Sequence, residues 1–149
     1  GEIVTAEELG GAQTHNEISG VAHFKCTSED ECFATIRTLL SYLPQNNLED
    51  APVYGSDDDL NRLSPELNSI IPDSPNKSYD IKDVIHRIAD LGEFLEVQSL
   101  FAQNIVIGFA RLNGKSVGIV ANQPKVKAGA LDMDASDKAA SVTASIFQL

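Results

Sequence analysis

Several features are scarce in this 149-residue sequence, and each absence excludes a class of protein. The two cysteines, Cys26 and Cys32, are too few for a disulfide-stapled secreted scaffold. No run of apolar residues is long enough to span a bilayer. No basic start followed by an apolar stretch marks a signal peptide. The balance of 42% hydrophobic and 22% charged residues is that of a globular protein. In the absence of a signal peptide or a membrane span, we expect it to be cytoplasmic.

Positive charge is also scarce, and it is unevenly placed. Residues 1–100 carry nineteen Asp and Glu against six Lys and Arg, a balance of −13, and residues 101–149 carry three against five, a balance of +2. The net charge of −11 argues against binding nucleic acid through its phosphates. A polyanionic ligand should prefer the C-terminal third, although a solvated acidic surface explains the same charges.

Patterns for metal binding and nucleophilic catalysis are missing. The three histidines and two cysteines lack the paired spacing of a zinc site. The run Asp57-Asp58-Asp59 lacks the glycine and terminal glutamate of a calcium loop. His15 and His23 suit proton transfer, but no acid or nucleophile stands beside them at a known spacing. No metal is expected, and a small hydrolase using a histidine is a minor alternative.

Helices are predicted where capping residues precede apolar periodicity. Such starts occur at Thr5, Ser28, Asp80 and either Asp134 or Ser136. Apolar side chains recur at helical spacing after Ser28, so Cys32 should be buried on that face. A loop is expected between Gln13 and Gly20.

A β-hairpin is predicted in the C-terminal half. Strand-like residues 105–112 and 115–121 are joined by Asn113-Gly114, which supplies the positive φ angles of a type I′ turn. A two-residue loop fixes the register and places each strand glycine opposite a bulky apolar residue. Both faces are apolar, so the hairpin should be buried.

Residues 45–79 are rich in Pro, Asn and Asp and offer few core positions. A structureless connection of this length is uncommon inside a compact domain. We therefore predict a linker between two domains.

Longer motifs resemble the carboxyltransferase subunits of biotin-dependent acyl-CoA carboxylases. Members of that family include propionyl-CoA carboxylase β chains, methylmalonyl-CoA carboxyltransferases and methylmalonyl-CoA decarboxylase α subunits. The motifs keep the family's order over roughly residues 1–140, and among them are Glu8-Leu9-Gly10-Gly11-Ala12, Ser19-Gly20-Val21-Ala22-His23, Gly108-Phe109-Ala110-Arg111, Val117-Gly118-Ile119-Val120-Ala121-Asn122-Gln123-Pro124 and Ala135-Ser136-Asp137-Lys138-Ala139-Ala140.

The resemblance implies an α/β fold, a fragment of a crotonase-like superhelix of ββα units at the junction of two carboxyltransferase halves. Residues 1–44 would end the N-terminal domain, residues 45–79 would form the linker, and residues 80–149 would begin the C-terminal domain. Residues 141–149 depart from the family. The start at Gly1 rather than methionine suggests a processed or excised segment.

The family's reaction moves a carboxyl group between biotin and the α-carbon of an acyl-CoA through an enolate, without a metal. Backbone amides in two oxyanion holes are expected to stabilise the anions. In the family, the glycine-rich peptides that supply them lie outside the span matched here. We therefore expect no catalytic residue in this chain and little activity from it alone.

The resemblance also implies which residues line the acyl-CoA and biotin cleft. They are Thr14, His15, Asn16, Ser19, Gly20, Val21, His23, Asn122, Gln123, Lys125 and Gly129. Biotin would be carried on a partner protein, so the expected partners are the biotin carboxyl carrier and biotin carboxylase components, an acyl-CoA and further copies of the chain. A non-catalytic module that oligomerises through the hairpin is the alternative.

Overall fold

A three-stranded antiparallel sheet is the centre of the fold. The computed structural model describes residues 3–74 and 76–147, with side chains through residue 141. Within them the strands lie in the order β1, β2, β3, and their bounds are Phe94–Val97, Ile105–Leu112 and Lys115–Asn122. The core is formed by Val97, Ile105, Ile107 and Ala135, which are at most 5% exposed.

Helices precede and follow this sheet along the chain, and several begin at the predicted caps. Their bounds are α1 Ala6–Gly10, α2 Ala12–Glu17, α3 Glu29–Leu40, α4 Leu67–Ile70, α5 Ile81–Ile88 and α6 Met133–Phe147. The side chains of Thr5, Ser28 and Asp80 accept main-chain hydrogen bonds at the starts of α1, α3 and α5. Helix α6 packs against β2 and β3 and closes the core. No described helix is long and apolar enough to cross a membrane.

The predicted hairpin register is confirmed, but the predicted burial holds only for β2. Leu112 pairs with Lys115, and Phe109 pairs with Gly118. A Cβ on Gly108 would lie 2.2 Å from the Leu95 carbonyl, so the close packing is against β1. Most of β2 is buried, whereas β3 is largely half-exposed, because β3 is the edge of the described sheet.

Three local predictions are wrong. Residues 12–17 form α2 rather than a loop, since the extended Gly11 ends α1 and allows a new helix to begin. Cys32 is exposed, because the apolar face of α3 has little packed on it in the described structure; Phe33 on the same helix is 52% exposed. Helix α6 begins earlier than predicted, because Asp132 Oδ1 accepts the Ala135 N–H at 3.0 Å.

Residues 45–79 are mostly irregular, apart from α4, yet they are attached to the rest of the fold. The Arg62 guanidinium donates to the carbonyls of Arg87 at 2.6 Å and Ala89 at 2.8 Å, and it pairs with Asp58. These bonds satisfy carbonyls at the end of α5. The assignment of this segment as a linker between two domains stays a prediction.

Candidate functional site

The predicted cleft residues lie at one end of the sheet. Strand β1 ends, β2 begins and β3 ends at this end, because the strands are antiparallel. Residues 98–104, here called the connecting turn, join β1 to β2 at the same place. The N-terminal loop group, residues 14–23, hydrogen-bonds to this turn through Gln98, and the hairpin-end group, residues 122–129, does so through Asn104.

Gln98 fixes the N-terminal loop group. Its N–H donates to the His23 carbonyl at 3.0 Å, and its Nε2 donates to the Gly20 carbonyl at 2.6 Å. Gly20 has φ +64°, and a Cβ there would lie 2.6 Å from the Phe101 ring. Only glycine fits this position without displacing the ring, which explains why the loop carries a glycine here.

Most side chains of this loop are exposed, but Asn16 is buried. His15 is exposed, and its Nδ1 lies 3.3 Å from Ser19 Oγ; Val21 is 75% exposed. Asn16 is only 3% exposed, and its Nδ2 donates to the carbonyls of Ala12 and Phe24 at 2.9 and 3.2 Å. In this structure Asn16 therefore supports the loop from within.

Thr14 and His23 complete the N-terminal loop group. Thr14 is half-buried, and its Oγ1 donates to the Glu7 carbonyl at 3.0 Å, which ties α2 to α1. His23 is exposed and is held through its carbonyl, so its ring is open to solvent.

Gln123 organises the hairpin-end group. It is 4% exposed; its N–H donates to the Asn104 carbonyl at 2.9 Å, and its Nε2 donates to Asp80 Oδ1 at 2.7 Å. Its Oε1 accepts the Ile81 N–H at 3.2 Å. The side chain therefore joins the end of β3 to the start of α5. Asn104 Nδ2 donates in turn to the Ala130 carbonyl at 2.8 Å.

The loop after β3 closes on itself and presents a cation. Asn122 Nδ2 donates to the Gly129 carbonyl at 2.8 Å, and Gly129 has φ +74°. Lys125 is exposed, with Nζ 3.5 Å from Asp80 Oδ2. Burial raises the pKa of Asp80, but hydrogen bonds from Gln123 and Lys82 and the charges of Lys82 and Lys125 outweigh it and lower that pKa.

One buried cation was missed by the sequence analysis. Lys138, on α6, is 2% exposed, and its Nζ lies among main-chain carbonyls of the connecting turn and the first residue of β2. Burial lowers its pKa to about 8. A lysine within a helix usually indicates a solvated face, so only its position inside a quoted family motif could have drawn attention to it.

The exposed groups at this end of the sheet can bind an anionic, partly apolar ligand. Imidazoles, the Asn122 amide and the Lys125 ammonium can hydrogen-bond to phosphate or carboxylate. A groove beside the hairpin-end group is lined in part by Lys77, Tyr79 and Pro124. Among the described residues, no cluster of three or more His, Cys, Asp and Glu is placed to hold a metal ion.

Comparison with known families gives a match over nearly the whole chain. The model of the carboxyl transferase domain matches residues 1–146. The methylmalonyl-CoA decarboxylase α subunit of Veillonella parvula is 58% identical over 138 residues, which cover 93% of this chain and 27% of that protein. The carboxyltransferase subunit of propionyl-CoA carboxylase from Haloferax mediterranei is 57% identical over 140 residues, which cover 94% of this chain and 27% of that protein. The chain thus spans about a quarter of the length of these relatives.

Solved structures show the same fold. A transcarboxylase 12S structure with methylmalonyl-CoA and methylmalonic acid bound superposes with a TM-score of 0.89 at 50% identity, covering 93% of this chain and 26% of that one. A single-chain, multi-domain long-chain acyl-CoA carboxylase superposes with a TM-score of 0.73 at 23% identity, covering 91% of this chain and 13% of that one. At this identity the likeness supports the fold alone. The predicted family resemblance and the predicted α/β, crotonase-like fold class are confirmed.

Proposed function

The chain belongs to the carboxyl transferase domain family, and from this we propose that it forms part of a carboxyltransferase that moves a carboxyl group between biotin and an acyl-CoA. The propionyl-CoA and methylmalonyl-CoA type of substrate is proposed from the names of the relatives. The observation that supports the proposal is the meeting of both predicted cleft groups at one end of the sheet, each hydrogen-bonded to the connecting turn.

The N-terminal loop group is proposed to line the acyl-CoA side of the cleft. Its exposed side chains include His15, Ser19, Val21 and His23, a mixture of polar and apolar groups suited to a thioester with a short acyl chain. Because the loop is held by its carbonyls at Gly20 and His23, these exposed side chains are accessible to a ligand, although Ser19 Oγ also bonds to His15 within the loop. A loop that is already held in place need not be ordered on binding, which lowers the entropic cost of binding a ligand.

The hairpin-end group is proposed to supply charge. Lys125 is the exposed cation of this group closest to the end of β3, and coenzyme A carries several phosphate charges. An ammonium and a phosphate attract each other most strongly where water is partly excluded. Biotin reaches the cleft on a carrier protein in this proposal, and the biotin carboxylase component and further copies of the chain are the other proposed partners.

The 149 residues alone are proposed to be inactive. Carboxyl transfer through an enolate needs main-chain donors fixed around the developing negative charge. The N–H of Gln98, which holds the N-terminal loop group, and that of Gln123, within the hairpin-end group, already donate within the fold. A decarboxylation assay with methylmalonyl-CoA should therefore show no turnover above buffer, and robust turnover by this chain would refute the proposal.

The substrate assignment is tested in a complete carboxyltransferase subunit that contains these residues. Lys125→Gln should raise the KM for methylmalonyl-CoA by roughly threefold to tenfold, on the order of 1 kcal/mol of lost charge interaction. Lys115→Gln is the matched control, since Lys115 is an exposed lysine at the turn of the hairpin, at the opposite end of the sheet. Equal KM values for the two variants would remove Lys125 from the proposed cleft.

An oligomerising role is a second candidate, favoured by the exposed edge of the described sheet. Strand β3 pairs on one side only, and Val120 on it is 46% exposed. Unpaired strand edges with apolar side chains tend to associate. Sedimentation velocity should show a dimer or larger species that Val120→Lys dissociates, whereas a monomer at high concentration would refute this role.

A further inference from the structure

The described hydrogen bonds of the buried cation Lys138 go to main-chain carbonyls of residues 98–105 rather than to the exposed cleft residues, and they hold the turn on which both groups rest. Its Nζ donates to the carbonyls of Gln98 at 2.9 Å, Phe101 at 2.7 Å and Ile105 at 2.9 Å. The carbonyl of Ala102 lies at 3.4 Å. A buried ammonium is costly unless its donors are satisfied, and here main-chain oxygens satisfy them.

The turn that Lys138 holds is conformationally strained. Gln98 has φ +52° and Ala102 has φ +41°, a region that residues with a Cβ rarely adopt. Such residues persist when the surrounding structure fixes them. The only described contacts that bring several carbonyls of this turn to one point are those of the Lys138 ammonium. Without it, we expect the turn to relax.

The charges around Lys138 come from two neighbouring elements. Burial lowers the pKa of Lys138 to about 8; the carboxylate of Glu96 on β1 favours the ammonium, and Lys82 on α5 opposes it. Lys82 and Glu96 also pair with each other at 3.1 Å. The pKa of Lys138 is below the ordinary lysine value but above 7. The side chain therefore stays an ammonium with three donors at neutral pH.

We propose that Lys138 is a positioning residue for the acyl-CoA side of the cleft. By holding the carbonyls of residues 98, 101 and 105, it sets the position of Gln98, and Gln98 in turn holds Gly20 and His23. The inference rests on the proposed function, because the proposed function assigns the acyl-CoA to the N-terminal loop group. It predicts that losing the ammonium impairs binding of the acyl-CoA more than use of biotin.

The test compares Lys138→Met with Lys115→Met in a complete carboxyltransferase subunit that contains these residues. Methionine keeps the length of the stem but removes the donors. Displacing a binding loop by about 1 Å can cost up to roughly 100-fold, so Lys138→Met should raise the KM for methylmalonyl-CoA at least about tenfold and leave the KM for free biotin unchanged. Lys115→Met, at the far end of the sheet, should change neither.

A second variant keeps the test decisive if Lys138→Met does not fold. Gln98→Met leaves the main-chain bond to Lys138 but removes the Nε2 bond to Gly20, so the KM for methylmalonyl-CoA should rise by a smaller factor of about three. An unchanged KM for methylmalonyl-CoA in the folded variants overturns the inference. An equal loss with both substrates overturns it too, since that is the result of a general folding defect.

Hydrogen exchange separates this inference from the proposed function. If the wild-type subunit proves to transfer no carboxyl group, the proposed function fails, and the amides of Ala22 and Gln98 still report on the loop. These amides donate to the carbonyls of His15 and His23. In Lys138→Met, both amides should exchange faster. In Gln98→Met, only the Ala22 amide should exchange faster. The β2 amides should exchange at the wild-type rate in both variants. Unchanged exchange at both positions overturns the inference.

Discussion

Replacing Arg111 should reveal how the segment after α3 is held on the sheet. The Arg111 guanidinium lies between two tyrosine rings, 4.1 Å from the centroid of Tyr42 and 4.4 Å from that of Tyr54. Its Nη2 donates to the carbonyl and the hydroxyl of Ser41 at 3.1 and 2.8 Å. One side chain on β2 thus joins residues before and within segment 45–79 to the hairpin.

The size of the effect follows from these contacts. Two cation–π contacts on a largely buried guanidinium contribute about 1–2 kcal/mol together, and the hydrogen bonds to Ser41 contribute about 2 kcal/mol. The pair with Glu93 at 4.0 Å adds little, because Glu93 is 64% exposed. The buried Arg111 Nε has no partner in the described structure, which costs about 1 kcal/mol. Arg111→Met should therefore destabilise the chain by about 2–3 kcal/mol.

Urea unfolding of the 149-residue chain measures this difference. Arg37→Met is the matched control, because Arg37 is exposed on α3, and it should change the free energy of unfolding by less than about 0.5 kcal/mol. If Arg111→Met also changes the free energy of unfolding by less than about 0.5 kcal/mol, the two tyrosines and Ser41 do not hold Arg111 in solution.

Two further changes test the electrostatics of the loop after β3 and the hairpin turn. Hydrogen bonds from Lys127, the Ala135 N–H and Asn104 lower the pKa of Asp132 to about 2 from 3.8. The resulting stabilisation is present above the ordinary pKa of the carboxyl group and is lost as the pH falls through about 2. The difference in Tm between wild type and Asp132→Asn should shrink from pH 5 toward pH 2, and a difference that grows on acidification would contradict this sign. Gly114 has φ +74°, and a Cβ there would lie 1.8 Å from the Tyr54 carbonyl. Gly114→Ala should lower the free energy of unfolding, measured in urea, by about 2 kcal/mol or more. Gly55→Ala is the control and should change it very little, because nothing lies within 4 Å of the added Cβ. Equal effects of the two changes would refute the turn geometry.

Local sequence chemistry was sufficient where a few neighbouring residues determine the conformation. Asn113-Gly114 predicted the hairpin and its register, because a two-residue loop leaves one pairing of the strands. Thr5 and Asp80 predicted helix starts, because each side chain reaches an unpaired N–H of its own first turn. These interactions span few residues and depend little on the rest of the fold.

Predictions that depend on distant contacts were less successful. The apolar stripe of α3 predicted burial of Cys32, but helical periodicity does not say whether another element covers that face. Lys138 was passed over because its burial depends on carbonyls more than thirty residues earlier in the chain. The two cleft groups were predicted from family motifs. That both lie at one end of the sheet depends on how the strands pair, which the motifs do not specify.

The most direct test of the proposed cleft is hydrogen exchange of a complete carboxyltransferase subunit with and without methylmalonyl-CoA. We expect protection of amides in residues 14–23 and 122–129 on binding, with no change at the hairpin turn around Asn113, at the opposite end of the sheet. Protection at the turn, with neither cleft group affected, would show that the ligand binds elsewhere and that the proposed cleft is wrong.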